Sequence, residues 1–328
     1  MLTNYFFMIL ISFCLGITFI FLFKRLALRY KSLILKGIPL VGGVSMGLSF
    51  ILTCLLGFFL YSGLSPQASG IIIASSVILF FGIIDDIVNL SVMAKFLVQI
   101  IATSLLIFFG IKTQIVYIGN LVNIIITFIW VIGITNAFNH LDVMDGLAAG
   151  IAILAGLGLF IISVLKGDIN STIFTIALIG AIFSFLTHNF PPAKIYMGNS
   201  GSHFLGFILA AIALLISYAP LERKIALLSP ILILGFPIFD TIFLVFMRII
   251  QRRSAFKKSN DHLALRFIKI GYSKNKTLLF MLGLGSFFSL SGVCISQVST
   301  YLGILVIILV GLVSLTLFKK MGKVVIDG

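Results

Sequence analysis

Two asparagines, a histidine and two aspartates interrupt a long apolar run between Asn136 and Gly146. A charged side chain at the centre of a bilayer costs at least ~2.5 kcal/mol. Asp142 and Asp145 must therefore lie at the membrane interface or line a wet cavity. Ionisable residues kept at membrane depth are candidates for function.

A second polar stretch begins with Asp85 and Asp86, directly after another apolar run. Adjacent carboxylates raise each other's proton affinity unless a cation or solvent intervenes. The pair therefore suits a metal, an ammonium group or proton abstraction, and the alternative is a pair of solvated interfacial acids. Ser91 and Lys95 follow, and they offer a hydroxyl and a donor for phosphate.

The third polar stretch, residues 189 to 202, pairs Pro191 and Pro192 with Lys194 and then reads Met-Gly-Asn-Ser-Gly-Ser from Met197. The prolines forbid continued helix. The glycines let the backbone approach a phosphate or metal closely, and a following helix would direct its positive end at that ligand. The alternative is ordinary loop chemistry at the start of a helix.

In the central stretch, Asn139, Asp142 and Asp145 recur at a spacing of three and would share a helix face if the region were helical. Asp142 is also a candidate to cap the helix that begins near Gly146. For His140 a packed, hydrogen-bonded side chain is the expectation.

The composition places these stretches in a membrane protein. Of the 328 residues, 60% are hydrophobic and 10% are charged, against roughly 25% charged in a soluble globular domain. The net charge of +14 could suggest nucleic acid, but in a membrane protein the position of Lys and Arg matters more than their sum, and no nucleic-acid partner is predicted. The three cysteines fall inside apolar runs and indicate neither a disulfide frame nor a zinc site.

Apolar runs of about the ~20 residues that a spanning helix needs predict an all-α polytopic protein with about eleven transmembrane helices in one domain, residues 1–328. The predicted spans are 2–23, 41–61, 70–84, 95–111, 118–136, 147–165, 171–187, 202–219, 226–247, 277–296 and 300–318. All Lys and Arg residues except Lys112, Lys166, Arg223 and Lys224 fall on one side of this arrangement. The positive-inside rule then places the N-terminus outside, the C-terminus in the cytoplasm and all three polar stretches on the cytoplasmic side.

The one substantial hydrophilic segment, residues 248–276, is a predicted basic cytoplasmic loop with a single acid, Asp261. Its charge could serve only to attract anionic lipid, at ~1 kcal/mol per basic residue. His262 and Arg266, four residues apart, are harder to dismiss. Cytoplasmic acids, amides and a basic loop together suit an anionic substrate held through a divalent metal beside a lipid, because Mg²⁺ commonly bridges carboxylates to phosphates. The predicted reaction class is phosphoryl transfer at the membrane face.

At these residues the chain resembles the polyprenyl-phosphate N-acetylhexosamine-1-phosphate transferases, which form glycosyltransferase family 4. The matching segments, in order along the chain, are Gly37-Ile-Pro-Leu-Val-Gly-Gly43, Asp85-Asp86 with Leu90-Ser91 and Lys95, Asn136 to Ala148, Asn189 to Lys194, Met197-Gly198 with Gly201-Ser202, and Pro237-Ile-Phe-Asp240 leading to Arg253, Asp261 and His262. Each motif alone is modest, but their order on one membrane side is specific.

The resemblance implies transfer of a sugar 1-phosphate from a UDP-N-acetylhexosamine to undecaprenyl phosphate, with release of UMP, at the cytoplasmic face of a bacterial plasma membrane. It implies Mg²⁺, with Mn²⁺ as the substitute, a lipid environment, a homodimer and a product that starts a cell-envelope glycan. The implied catalytic residues are Asp85, Asp86, Asp142 and His262, of which Asp85 and Asp86 serve the lipid phosphate and its deprotonation. The implied metal ligands are Asn139 and Asn199, and the implied substrate-binding residues are Lys95, Asn136, Asp145 at the uracil end, Asn189, Lys194, Ser202 and Arg266.

Two departures from the family pattern bear on activity. The family usually has Asp after Met-Gly, where this chain has Asn199, so metal affinity should fall unless Asp142 or Asp145 compensates. Only His262 remains of a usual histidine cluster, which favours the branch that transfers a simple aminosugar phosphate, such as N-acetylglucosamine 1-phosphate. The alternatives are an impaired homologue that binds UDP-sugar or lipid, and a transporter or flippase, which would instead show acids spread through the bilayer depth and inverted repeats.

Overall fold

The computed structural model describes residues 2–30, 33–218, 224–250 and 261–324. Within these ranges the chain is almost wholly helical. The helices are α1 (Leu2–Tyr30), α2 (Gly42–Tyr61), α3 (Pro66–Val88), α4 (Val92–Phe108), α5 (Gly119–Leu141), α6 (Leu147–Lys166), α7 (Ile169–Asn189), α8 (Gly198–Leu215), α9 (Ser229–Ile233), α10 (Gly235–Ile250), α11 (Leu263–Lys269), α12 (Lys274–Gln297) and α13 (Thr300–Gly322). A short antiparallel hairpin, β1 (Ile34–Leu35) and β2 (Ile38–Pro39), joins α1 to α2, and a 3-10 turn (Lys224–Leu228) precedes α9.

Nine of the described helices are long and apolar enough to cross a membrane, which confirms the predicted all-α polytopic membrane protein. They are α1, α2, α3, α5, α6, α7, α8, α12 and α13. Helix α4 is apolar but only 17 residues long. Each of the eleven predicted spans overlaps one of these helices or the bent pair of α9 and α10, whereas the number of actual crossings stays a prediction.

The predicted ninth span, 226–247, is not one straight helix. The segments Lys224–Ile233 and Gly235–Ile250 meet at an angle of 70°. Pro237 explains the break, because proline is tolerated in the first turn of a helix but not in its interior. The bend brings Asp240 toward the chain that follows α10.

Short sequence signals set the helix ends nearest the second polar stretch. The Ser65 side chain accepts a hydrogen bond from the Ala68 amide at 3.1 Å, and Pro66 is the first residue of α3. At its other end α3 stops at Asn89, whose φ of +52° lies in the left-handed region. Ser91 then caps α4 by accepting from the Ala94 amide at 3.2 Å.

Helices α7 and α8 form the centre of the bundle and are the most buried of the nine spans, whereas α1 and α13 are the least buried. Helix α8 packs against α2, α3 and α5, and α7 packs against α1, α2 and α6. Stacked and edge-on aromatic rings of Phe50, Phe174 and Phe204 fill the space where α2, α7 and α8 meet. The core therefore surrounds the helix whose first residues belong to the third polar stretch.

Two glycines allow the start of α8 to approach its neighbours closely. A Cβ at Gly82 of α3 would lie 2.5 Å from the Cα of Ser200. A Cβ at Gly43 of α2 would lie 2.2 Å from the backbone nitrogen of Gly201. Because each obstacle is backbone, a side chain at either position would push α8 away from its neighbour.

We expect Gly82→Ala to lower the stability of the detergent-solubilised protein by roughly 1–3 kcal/mol, because overpacking against backbone has no side chain that can move aside. The measurement is the thermal unfolding midpoint. Gly133→Ala on α5 is the matched control, because no atom lies within 4 Å of a Cβ built there. Equal midpoints for the two variants would contradict the close approach of α3 and α8.

Candidate active site

The three polar stretches meet at one end of the helix bundle, where α3, α5 and α7 end and α4, α6 and α8 begin. Asp86, near the end of α3, contacts the first residues of α8. Asn139, near the end of α5, contacts Asn199 and Ser202. Candidate residues separated by more than a hundred positions in the chain are thereby brought into one site.

The carboxylate of Asp86 caps the N-terminus of α8. One of its oxygens accepts from the Asn199 amide at 2.6 Å, and the other accepts from the Ser200 amide at 3.1 Å and the Ser200 hydroxyl at 2.7 Å. Gly198 has a φ of +69°, and a Cβ there would lie 2.5 Å from the carboxylate. An acid at this position satisfies free helix N–H groups and complements the helix dipole, so Asp86 positions Asn199.

Asp85 is buried and has its own partners on α4 and the preceding turn. Its Oδ1 accepts from the Leu90 amide at 2.7 Å, and its Oδ2 lies 2.6 Å from the Nζ of Lys95. The Lys95 side chain remains 28% exposed. Its ammonium can therefore bind a ligand while it contacts Asp85. The two adjacent acids therefore do not share one partner, because each faces a different helix.

The two candidate metal ligands contact each other. The side-chain nitrogen of Asn139 donates to the Oδ1 of Asn199 at 3.2 Å and to the hydroxyl of Ser202 at 2.9 Å. The amide oxygen of Asn139 is thus left for another partner. Three predicted site residues are in this way fixed by hydrogen bonds among themselves.

Asp142 and Asp145 do not share a helix face, because α5 ends at Leu141. Nor does either cap α6, whose N-cap is Gly146 with no side-chain cap, so both expectations were wrong. Asp145 instead accepts from the Ala193 amide at 3.1 Å. Its carboxylate therefore holds the proline loop of the third stretch beside the turn that follows α5.

Asn189 also connects the turn after α5 to the proline loop. Its Oδ1 accepts from the Gly146 amide at 2.9 Å, and its side-chain nitrogen donates to the carbonyl of Ile195 at 2.9 Å. Lys194, in the same loop, has an exposed side chain and a backbone N–H that donates to the His188 carbonyl at 2.7 Å. Both the oxygen and the nitrogen of the Asn189 side-chain amide therefore bind backbone groups and hold the two segments together. The ammonium of Lys194 is exposed and can bind a ligand.

Asn136 lies deeper and pairs with a residue that the sequence interpretation missed. Its side-chain nitrogen donates to the Oε1 of Gln99 at 2.8 Å and to the Ile132 carbonyl at 2.8 Å. Gln99 is buried in α4. Its amide within an otherwise apolar run was the available signal, because an amide in hydrocarbon needs a partner.

A pocket between α3 and α4 has Gln99 and Lys95 at its polar end and Ile78, Phe81 and Val98 on its apolar walls. His203 of α8, also missed from the sequence, lines the same pocket. Its Nδ1 lies 2.9 Å from the Asn199 carbonyl, which can only accept, so this nitrogen carries the proton. The pocket combines a cation with apolar surface directly beside Asp85.

The far wall of the site holds His262. Its Nδ1 lies 3.1 Å from Asp240 Oδ2, while Asp240 Oδ1 accepts from the Leu263 amide at 3.0 Å. Asp240 therefore fixes both the ring of His262 and the start of α11. Residues 251–260 of the basic loop, including Arg253, lie outside the described residues, and α11 shows that the rest of the loop is partly helical.

The guanidinium of Arg266 is surrounded by hydrogen-bond acceptors and an aromatic ring. Its guanidinium donates to Asp261 Oδ1 at 3.0 Å, to the Met321 carbonyl at 2.9 Å and to the Val324 carbonyl, and it lies over the Phe243 ring. The side chain is completely buried. In this structure Arg266 ties the C-terminal end of α13 to α11, and its predicted contact with sugar or phosphate stays a prediction.

The electrostatics around Asp142 favour a cation. The surrounding protein, followed by the carboxylates of Asp86 and Asp145, raises the pKa of Asp142 to about 7, although solvent still reaches its side chain at the open mouth of the site. In the described part of the chain, no group of three His, Cys, Asp or Glu side chains could hold a metal ion. The oxygens of the Asp142 carboxylate and of the Asn139 and Asn199 amides are hard ligands of the kind that Mg²⁺ prefers, and the Asn199 oxygen also accepts from Asn139.

The chain is similar in sequence to a family of membrane transferases. The family model for glycosyl transferase family 4 matches residues 68–217. A probable undecaprenyl-phosphate N-acetylglucosaminyl 1-phosphate transferase of Bacillus subtilis is 28% identical, over 83% of this chain and 77% of its own length. A decaprenyl-phosphate N-acetylglucosaminephosphotransferase of Mycobacterium tuberculosis is 31% identical, over 74% and 68%, and an undecaprenyl-phosphate alpha-N-acetylglucosaminyl 1-phosphate transferase of Thermotoga maritima is 27% identical, over 78% and 77%.

We expect Asp142→Asn to be more stable than the native protein above pH 7 in the absence of divalent cations. A carboxyl whose folded pKa is raised stabilises the folded state while it is protonated, and this contribution is lost as the pH rises from its unfolded value of about 4 toward about 7. The neutral amide removes that loss. The difference in unfolding midpoint should grow across this window to about 2 °C, allowing for solvent screening.

Added Mg²⁺ should shrink the difference, because a bound cation stabilises the ionised carboxylate. Asp168→Asn is the control, because Asp168 caps α7 at the opposite end of the bundle. If the unfolding midpoints of Asp142→Asn and the native protein differed by the same amount at pH 5 and pH 8, the pKa of Asp142 would not be raised as described.

Proposed function

This chain belongs to the polyprenyl-phosphate N-acetylhexosamine-1-phosphate transferases of glycosyl transferase family 4, and from that membership we propose that it transfers an N-acetylhexosamine 1-phosphate from a UDP-sugar to undecaprenyl phosphate, releasing UMP. The observation that carries the proposal is the fixed contact of Asp86, Asn199 and Asn139 at the start of α8. It fixes the side-chain amides of Asn139 and Asn199 next to the pair of Asp85 and Lys95, where a pyrophosphate with its cation and an acceptor phosphate could meet.

The acceptor phosphate is assigned to Lys95. Its ammonium lies against Asp85, beside the apolar side chains of Ile78, Phe81 and Val98, which are proposed to contact the start of a polyprenyl chain. The pairing holds the ammonium in place, and its partial exposure leaves it able to bind an anion. Lys194, exposed on the proline loop, and Asp145 with Asn136 are proposed to serve the nucleotide and its phosphates.

The bond changes follow from direct attack. An oxygen of the lipid phosphate attacks the β-phosphorus of the UDP-sugar, a new P–O–P link forms, and the bond between that phosphorus and the UMP oxygen breaks. Asp86 already accepts three hydrogen bonds from α8, and Asp85 holds Leu90 and Lys95. These contacts favour the direct route over a covalent aspartyl intermediate, because each carboxylate oxygen faces an N–H, O–H or ammonium donor, which lowers its nucleophilicity.

Asn139, Asn199 and Asp142 are the residues proposed to hold Mg²⁺, with Mn²⁺ as the substitute. A bound divalent ion supplies positive charge for the pyrophosphate and for the leaving UMP. The residues themselves orient the phosphates through their amides, and Asp86 keeps Asn199 at the helix N-terminus. His262, held by Asp240, is proposed to act at the sugar end of the donor.

We further propose that the site faces the cytoplasm of a bacterial plasma membrane, with the N-terminus outside and the C-terminus inside. The support is the distribution of Lys and Arg, most of which fall in the predicted connections on the same side of the membrane as the three polar stretches. Eleven crossings satisfy this orientation if α4 and the bent pair each cross once. A homodimer stays a prediction.

We expect purified protein with undecaprenyl phosphate and Mg²⁺ to release UMP from one member of a panel of UDP-sugars. Asp85→Asn should lower that rate at least about 100-fold, because it removes the charge that positions Lys95. Asp168→Asn makes the same chemical change at the far end of α7 and should retain activity. Equal activity of the two variants would reject the role of Asp85.

Asn199 gives a second candidate function, an impaired homologue that binds UDP-sugar without turnover. Asn199→Asp keeps an acceptor for the Asn139 amide and adds a charge to the proposed cation site. We expect this variant to retain activity or to gain up to about tenfold. A silent native protein that Asn199→Asp activates would establish the impaired homologue, and a loss of turnover in a folded Asn199→Asp variant would contradict the proposed cation site.

A further inference from the structure

His140 stands in the last turn of α5 and faces the ring of His262. The two ring centroids are 6.4 Å apart, with the planes at 41°. From the described part of the chain, no hydrogen bond reaches either ring nitrogen of His140, and the side chain is only half-buried. The ring is therefore packed, as expected, but the expected hydrogen bond is not found among the described residues, where neither ring nitrogen has a partner.

The opposite ring is fixed in one orientation. His262 Nδ1 lies 3.1 Å from an oxygen of Asp240, which accepts, so this nitrogen carries a proton. In the neutral ring Nε2, on the far side from Asp240, is then an acceptor. Asp240 is itself held by the Leu263 amide, so this acceptor cannot turn away without breaking a buried contact.

An acceptor on one ring and an N–H on the other match a hydroxyl group. A hydroxyl donates one hydrogen bond and accepts others, whereas an ionised phosphate oxygen only accepts and would meet the lone pair of His262. Two imidazoles are too few for a metal site, and within the described residues no third ligand completes one. A centroid separation of 6.4 Å is compatible with one bridging oxygen at ordinary hydrogen-bond distances of about 2.8 Å from a nitrogen of each ring.

The position of His140 indicates which part of a donor would supply the hydroxyl. Its chain neighbour Asn139 contacts Asn199 and Ser202, where the pyrophosphate of the donor is proposed to lie. In a UDP-hexosamine the sugar ring follows directly on the β-phosphate. We propose that His140 is a substrate-binding residue that, together with His262, binds a ring hydroxyl of the hexosamine; this inference rests on the proposed transferase function.

The test compares native protein with His140→Leu, using the UDP-hexosamine that the native protein turns over and analogues of it that each lack one ring hydroxyl. With the intact donor, His140→Leu should lower kcat/KM about 2- to 10-fold, the effect of one neutral hydrogen bond. The native protein should lose more than this with one analogue, because both contacts of the hydroxyl are lost with it. The variant should lose less with that analogue than the native protein does, because its His140 contact is already gone while the His262 contact remains.

Two further measurements separate binding of the sugar from a structural effect. UMP lacks the sugar, so its inhibition constant should be the same in the native protein and in His140→Leu. His140→Gln, which keeps an N–H donor, should recover part of the loss and serves if the leucine variant does not fold. His188→Leu is the matched control, because His188 is another half-buried histidine, in contact with Thr187 and Phe21, and it should leave kcat/KM within twofold.

The outcomes are distinct. A native protein that turns over no UDP-sugar rejects the proposed function and this inference together. An active native protein whose His140→Leu and His140→Gln variants both stay within twofold on every donor rejects the role of His140 alone. A variant that loses affinity for UMP as much as for the UDP-sugar would show that His140 acts on the shape of the whole site and does not bind the sugar.

Discussion

The capping of α8 by Asp86 is the contact on which the site depends. A buried helix N-terminus exposes N–H groups that hydrocarbon cannot satisfy, and one carboxylate from α3 accepts three hydrogen bonds there. The close approach of α3 to α8 past Gly82 makes this possible. Asn199, the first residues of α8 and the end of α3 therefore form one rigid unit, and the residues around it take their positions from it.

The other polar side chains at this end of the bundle are held in pairs across helix boundaries. Lys95 pairs with Asp85, Asn136 donates a hydrogen bond to Gln99, and His262 contacts Asp240. Burying a polar group without a partner costs more than the hydrogen bond returns, so such pairs fix the relative rotation of the helices that carry them. The site is consequently preorganised, which is what phosphoryl transfer by positioning and electrostatics requires.

A few polar groups at the site are left without a full set of protein partners, and they mark where a ligand belongs. Lys95 is partly exposed, the amide oxygen of Asn139 is free of the Asn199 contact, and His140 offers both ring nitrogens. Asp142 carries a raised pKa at the mouth of the site. These groups support the proposed nucleotide-sugar donor and divalent cation in a chain that belongs to this transferase family.

The sequence by itself determined the membrane-spanning helices and the stretches that hold the site. Runs of about twenty apolar residues have no other stable form in a bilayer. Ser65 and Ser91 begin helices by local hydrogen bonds, and Asn89 ends one by its backbone preference. Only the tertiary structure decided the partners: Asp86 with an amide 113 residues away, Asn136 with Gln99, His140 with His262, and the bend that breaks the ninth span. Periodicity reports which face of one helix is apolar, but these pairings depend on how two helices approach and rotate against each other, and that geometry is set by packing between residues far apart in the chain.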